Sequence, residues 1–179
     1  MNEKIVIGID LAGNEDNRSG ICIIKEEFGQ KDIHARTIFT DQEIIDEIVR
    51  LKPAIVAIDA PLTTKDSDRK ADLEMKKYGA ISLKLPGMQM LAERGYNLSE
   101  KIKKTGTKVI EVFTKASEKI MGLEKNSLSK SSDQADAIIA CLTASLYLEN
   151  KTKEVGDGEG KIIIPKPSRR KPLTAQNEF

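Results

Sequence analysis

Five acidic residues stand where a folded chain could gather carboxylates. Asp10 ends the apolar run KIVIGID, and Asp59 ends a second such run, AIVAID. Glu111 lies inside TKVIEVF, and Asp133 and Asp136 open the small-residue segment DQADAIIACLTASLYL. Carboxylates brought to one place repel one another, and without a counter-ion some of them take up protons. Hard divalent cations remove that cost, and magnesium prefers a few carboxylates together with waters and phosphate oxygens. Two such ions about 3.5–4 Å apart activate a water and stabilise the leaving oxygen in phosphodiester cleavage. His34, the only histidine, lies in a strand-like segment that is an unpromising place for a Ser/His/Asp set, and there is no P-loop lysine motif. The inventory therefore fits metal-assisted hydrolysis best, with Mg2+ or Mn2+ as the expected cofactor. Each acid also has a plainer role: Asp10 can cap a turn, and Asp133 can cap a helix.

The elements that must position these acids follow from periodicity. Residues 4–10 are apolar on both faces, which suits a central strand covered by helices. Residues 21–24 and 33–39 read as two further strands, joined by short turns into an antiparallel meander with the first. Thr40-Asp41-Gln42-Glu43 is a capping box, and Ile44, Ile45, Ile48 and Val49 give the helix after it one apolar face. Pro53 ends that helix. Residues 54–62 then form a strand parallel to the first, which brings Asp10 and Asp59 to one edge of the sheet. Residues 107–113 supply a fifth strand, and Asp133 and Asp136, three apart, share one face of the last long helix. Between them, 65–106 reads as a charged helix over 68–77, a Met/Leu helix from Met88, and a separate short helix from Asn97. Residues 161–165 read as a short strand at the sheet edge.

Composition narrows the classes. The chain has 179 residues and a formal net charge of +1, with 39% hydrophobic, 32% charged and 4% aromatic residues and no Trp. That fits one domain with a sizeable core. The near-neutral charge argues against non-specific duplex binding. The scarcity of aromatics argues against stacking platforms for single strands. Cys22 and Cys141 sit in apolar runs and read as buried small hydrophobes. No run reaches membrane-spanning length, and the expected location is cytoplasmic. Residues 166–179 open with the basic KPSRRK and are expected to form a mobile tail.

The order of elements and acids resembles the ribonuclease H-like superfamily, including RuvC-type Holliday-junction resolvases. There, one acid ends the first strand, one ends the fourth, and one or two stand on the last helix; Asp10, Asp59, Asp133 and Asp136 match these places. More closely, the chain resembles an uncharacterised family of predicted nucleases with that fold. The residues that carry the resemblance are Gly8-Ile-Asp10-Leu-Ala-Gly13, Asp59-Ala-Pro-Leu62, Arg69-Lys-Ala-Asp72, Glu111-Val-Phe113 and Asp133-Gln-Ala-Asp136-Ala137. Thr114 stands where that family usually has Pro.

The resemblance implies an α/β, ribonuclease H-like domain over 1–165. Its mixed five-stranded sheet would combine the three-strand meander with parallel strands, and helices would cover both faces. It also implies a two-metal nuclease: Asp10 and Asp59 hold the ions, Asp136 completes the site, and Asp133 and Glu111 assist. Arg69 is the candidate phosphate contact, set against a surface ion pair with Asp72. Nucleic acid is the expected partner, with a homodimer or the basic tail adding affinity. Two alternatives stand beside this one. The first is a phosphate-binding enzyme of the actin/sugar-kinase lineage, although Leu11-Ala12-Gly13 lacks that lineage's threonines. The second is a non-catalytic ribonuclease H-like module.

Overall fold

The apolar run that ends at Asp10 forms strand β1 (Lys4–Asp10). In the computed structural model, which describes residues 4–167, it lies inside a seven-stranded sheet. The other elements are β2 (Ser19–Glu27), β3 (Gln30–Ile38), α1 (Asp41–Leu51), β4 (Ile55–Asp59), α2 (Lys70–Met75), α3 (Pro86–Lys104), β5 (Val109–Val112), α4 (Thr114–Met121), α5 (Lys125–Leu128), α6 (Ser132–Leu148), β6 (Thr152–Asp157) and β7 (Gly160–Pro165). The strand order is β3-β2-β1-β4-β5-β7-β6. β1, β4, β5 and β7 run parallel, and the two ends of the sheet are antiparallel. No helix among the described residues is long and apolar enough to cross a membrane.

Strand parity sorts the side chains between two faces. Ile5, Ile7, Ile9, Val56 and Ile58 pack with Ile44 and Ile48 of α1 and with Leu98 and Ile102 of α3. Val6, Ile55, Ala57, Ile110 and Val112 pack on the other side, against Ala137, Ala140, Cys141 and Ala144 of α6. Helices thus cover both faces. Because successive side chains alternate, Asp10 and Asp59 fall on the α6 face. Glu111, between Ile110 and Val112, falls on the opposite one.

α6 sits very low on the sheet, and two glycines permit it. A Cβ on Gly8 would lie 2.3 Å from the Cys141 amide nitrogen and 2.4 Å from the Ala137 carbonyl oxygen. A Cβ on Gly20 would lie 2.0 Å from the Asp133 carbonyl oxygen. Gly20 is the β2 partner of Asp10, so this close approach brings the start of α6 beside Asp10.

Several expectations need correction. The sheet has seven strands, not five. β6 escaped notice because TKEVGD is a polar edge strand with Val155 as its one buried residue. β7 is not an edge strand, since it pairs with both β5 and β6. The two helices expected between 86 and 104 are one, running through Gly95, which packs close on Pro61 and Ala60. The capping box at Thr40 and Glu43 forms as read. Cys22 and Cys141 are free and buried. Of the expected tail, only Lys166 and Pro167 lie within the described residues, and the Lys166 amide donates to the Lys151 carbonyl oxygen at 2.9 Å.

Gly8→Ala should force α6 away from β1 and cost about 2 kcal/mol or more of stability, as overpacking at a rigid backbone contact does. Urea unfolding would measure it; an unchanged midpoint would show that the helix can retreat without loss.

Candidate active site

Parallel pairing of β1 with β4 makes Asp10 and Asp59 direct Cα partners, on strands about 4.8 Å apart. α6 lays its first turns over this pair. Asp10 is pushed from its ordinary 3.8 up to about 8. Burial is the main cause, followed by the charges of Asp59, Asp136 and Asp133, while Lys125 pulls the other way. Among the described residues no donor hydrogen-bonds its carboxylate.

Asp59 is also pushed up, to about 6, by burial and Asp136, but here hydrogen bonds resist. The Thr114 amide donates to its Oδ1 at 3.3 Å, and the Thr114 hydroxyl donates to its Oδ2. Thr114 is the first residue of α4, just past the end of β5, and is buried. Proline at this position could offer neither bond.

Asp136 is 9% exposed. The Lys125 ammonium lies 2.6 Å from its Oδ1 and 2.7 Å from its Oδ2, and only the second contact has hydrogen-bond geometry. Oδ1 is left buried without a hydrogen-bond donor. Burial pulls the Lys125 ammonium down, but Asp136 outweighs it and the net shift is upward. Asp133 sits at the rim. Its Oδ2 accepts from the Thr37 hydroxyl at 3.1 Å, and its Oδ1 from Ser131 Oγ at 2.8 Å and from Arg18 at 3.3 Å. Burial pushes it up, yet these bonds leave it below the usual carboxylate range. It does not cap α6; the residue at that position is Ser131.

Glu111 is not brought to this cluster. On the far face of the sheet its Oε1 accepts from Arg69 at 2.5 Å, and its Oε2 accepts from Arg69 at 2.9 Å and from the Leu62 amide at 2.9 Å. Arg69 also donates to both oxygens of Asp72 at 2.8 Å. The Arg69–Asp72 pair is therefore not on the surface: Arg69 is 1% exposed, with its guanidinium shared between two carboxylates. Burial draws the Arg69 proton affinity down, but both carboxylates more than reverse this. Burial pushes Glu111 up against the pull of Arg69. The network ties α2 to β5 and to the loop after β4.

The loop after Asp10 is held as firmly. Arg94 of α3 donates to the carbonyl oxygens of Ala12, Asn14 and Phe39 at 2.8 Å each, and to Asp41 at 2.9 Å. A cavity of about 180 Å3 opens beside Asp10 and Asp59, with largely apolar walls.

The donor set suits a hard divalent cation: only carboxylate oxygens, mutually repelling. As the side chains lie, no group of three His, Cys, Asp or Glu among the described residues is arranged to hold an ion, and Lys125 engages Asp136. Binding a metal at Asp136 requires the ammonium to withdraw. Compared with protein-family models and with curated proteins, the chain matches none.

Sequence reasoning missed two residues of the site. Lys125 lies in a polar connection that carries no periodic signal. Thr114 was visible as a departure from the family pattern, and the parallel pairing of Ile58 with Glu111 is what places it against Asp59.

Two measurements follow from these shifts. Asp10 binds its proton more tightly folded than unfolded, so its contribution to stability is lost as pH rises from about 4 to about 8. Asp10→Asn should match the metal-free wild type near pH 4 and exceed it by about 5 kcal/mol at pH 8, or roughly 10–20 °C in Tm. Equal melting temperatures at pH 8 would show Asp10 to be unperturbed. Thr114→Val should raise the Asp59 pKa by about one unit or more by removing a hydrogen bond to a charged group. Carboxyl-carbon NMR titration reads this directly, and Thr114→Ser should restore the wild-type value.

Proposed function

We propose that this chain is a metal-dependent nuclease of ribonuclease H-like fold, hydrolysing phosphodiester bonds in nucleic acid. One observation carries the reading: Asp10, Asp59 and Asp136 converge from two strands and a helix, leaving Asp10 protonated near neutral pH unless a cation joins them. Mg2+ or Mn2+ bound here would lower the pKa of a water and balance charge on the phosphate oxygens. Asp10, between Asp59 and α6, is the acid placed to serve both sides of the site. Asp59 is aimed and kept partly ionised by Thr114. Asp136 would join them once the Lys125 ammonium withdraws, and Asp133 supports the rim. Arg69 and Glu111 act as positioning residues, since their charges are spent on each other and on Asp72. With a net charge of only +1, attraction to a polyanion must be local, and Lys115 and Lys125 flank the carboxylates.

Titration with Mg2+ or Mn2+ to about 100-fold above Kd should stabilise the protein by about 2.7 kcal/mol, or roughly 5–10 °C in Tm. Asp10→Asn and Asp59→Asn should abolish the shift and cut hydrolysis of single-stranded, duplex, hybrid or branched substrates by about 100-fold or more. A wild type that metal does not stabilise sinks the proposal. Stabilisation without hydrolysis of any of these substrates would leave a non-catalytic module.

A further inference from the structure

The cavity beside Asp10 and Asp59 has a composition that the hydrolytic reading does not use. Its walls are apolar and come from α2, α3, the segment between them and the end of β5: Met75, Leu83, Met88, Leu91 and Phe113. Ile81, also on its lining, is 51% exposed, and nothing described covers it. The polar groups on the far wall, Asp72 and Glu111, already bond to Arg69. They offer few free hydrogen-bond partners to a guest. Lys115 stands exposed on the lining, and the two carboxylates border the pocket at the sheet edge.

We infer that this cavity holds one unpaired nucleobase of the substrate, with the adjoining phosphate directed to Asp10 and Asp59. The inference rests on the nuclease reading above and narrows its substrate to strands that present an unstacked base. At about 180 Å3 the pocket is smaller than those that enclose drug-sized ligands, which begin near 300 Å3. It suits a single flat ring system. A sugar would need hydrogen bonds that these walls lack, whereas a base buries its flat faces against aliphatic and methionine side chains, with Phe113 the one aromatic on the lining, whatever its identity. A base inside a duplex would first have to leave the stack, at a cost of about a few kcal/mol, so single-stranded or unpaired positions are favoured. Asp68 braces the pocket segment, accepting from Ser82 Oγ at 2.9 Å and from the Leu83 amide at 2.7 Å. The site is thus built before a ligand arrives.

Methyl NMR on the metal-free, full-length chain tests this with phosphate-free nucleosides, so neither metal binding nor hydrolysis is involved. Adenosine and thymidine at up to about 10 mM should shift the Met75, Leu83 and Met88 methyls, with Kd of order 1 mM, while ribose 5-phosphate should not. Ala80→Phe, on the lining, should weaken nucleoside binding about tenfold or more and leave the Mg2+ stabilisation unchanged. Leu91→Phe provides the same obstruction from α3 if the first variant does not fold. Unshifted methyls, or equal shifts in wild type and an obstructed variant, overturn the inference. Metal-dependent cleavage without nucleoside shifts would overturn the pocket alone. Nucleoside shifts without cleavage would uphold the pocket while the hydrolytic reading fails.

Discussion

Everything about the candidate site depends on how closely α6 approaches the sheet. A helix packed on a sheet through ordinary side chains would hold Asp136 farther from the strand ends. Gly8 and Gly20 remove the intervening layer, so that helix backbone meets strand backbone. The small residues Ala137, Ala140, Cys141 and Ala144 complete the match from the helix side. Close packing of this kind leaves no slack. The carboxylates are therefore held near one another by the core itself, despite their mutual repulsion.

The molecule buries two groups of acids and treats them differently. Glu111 and Asp72 share Arg69, a cation supplied by the chain in bidentate geometry. Such a cluster is closed: its donors and acceptors meet, and losing one partner would strand the others. Among the described residues, the one cation paired with Asp10, Asp59 and Asp136 is Lys125, which engages one of the three. Burial first, and then the shortfall of positive charge, appear as the raised proton affinity of Asp10. Strand parity makes the distinction. One residue of register separates Glu111 from Val112, and that step decides which face, and so which cluster, a carboxylate joins.

Much of this was legible in the chain. The apolar runs before Asp10 and Asp59 read as parallel strands because buried parallel strands carry continuous apolar sequence. The capping box at Thr40 announced α1. Asp133 and Asp136 could be placed on one helix face by spacing alone. What stayed hidden depends on tertiary register. Alternation along TKVIEVF could have turned Glu111 away, but only once the face occupied by α6 was known. β6 lacks an apolar pattern because an edge strand beside solvent needs only one buried side chain. Lys125 reaches its site from a short polar connection, and Arg69 looked like a surface residue because its second carboxylate lies 42 residues away in sequence.

The parallel direction of β7 also has a practical side. Its end at Pro165 lies at the same edge of the sheet as Asp10 and Asp59, with β5 between β7 and β4. Two strand spacings make that a lateral offset of about 10 Å from the strand of Asp59, and three about 14 Å from that of Asp10. Lys4, by contrast, stands at the opposite edge. A group joined directly after Pro167 would thus stand on the carboxylate side, where it can crowd the site. One joined directly before Lys4 would stand on the far side and leave the approach to the acids clear.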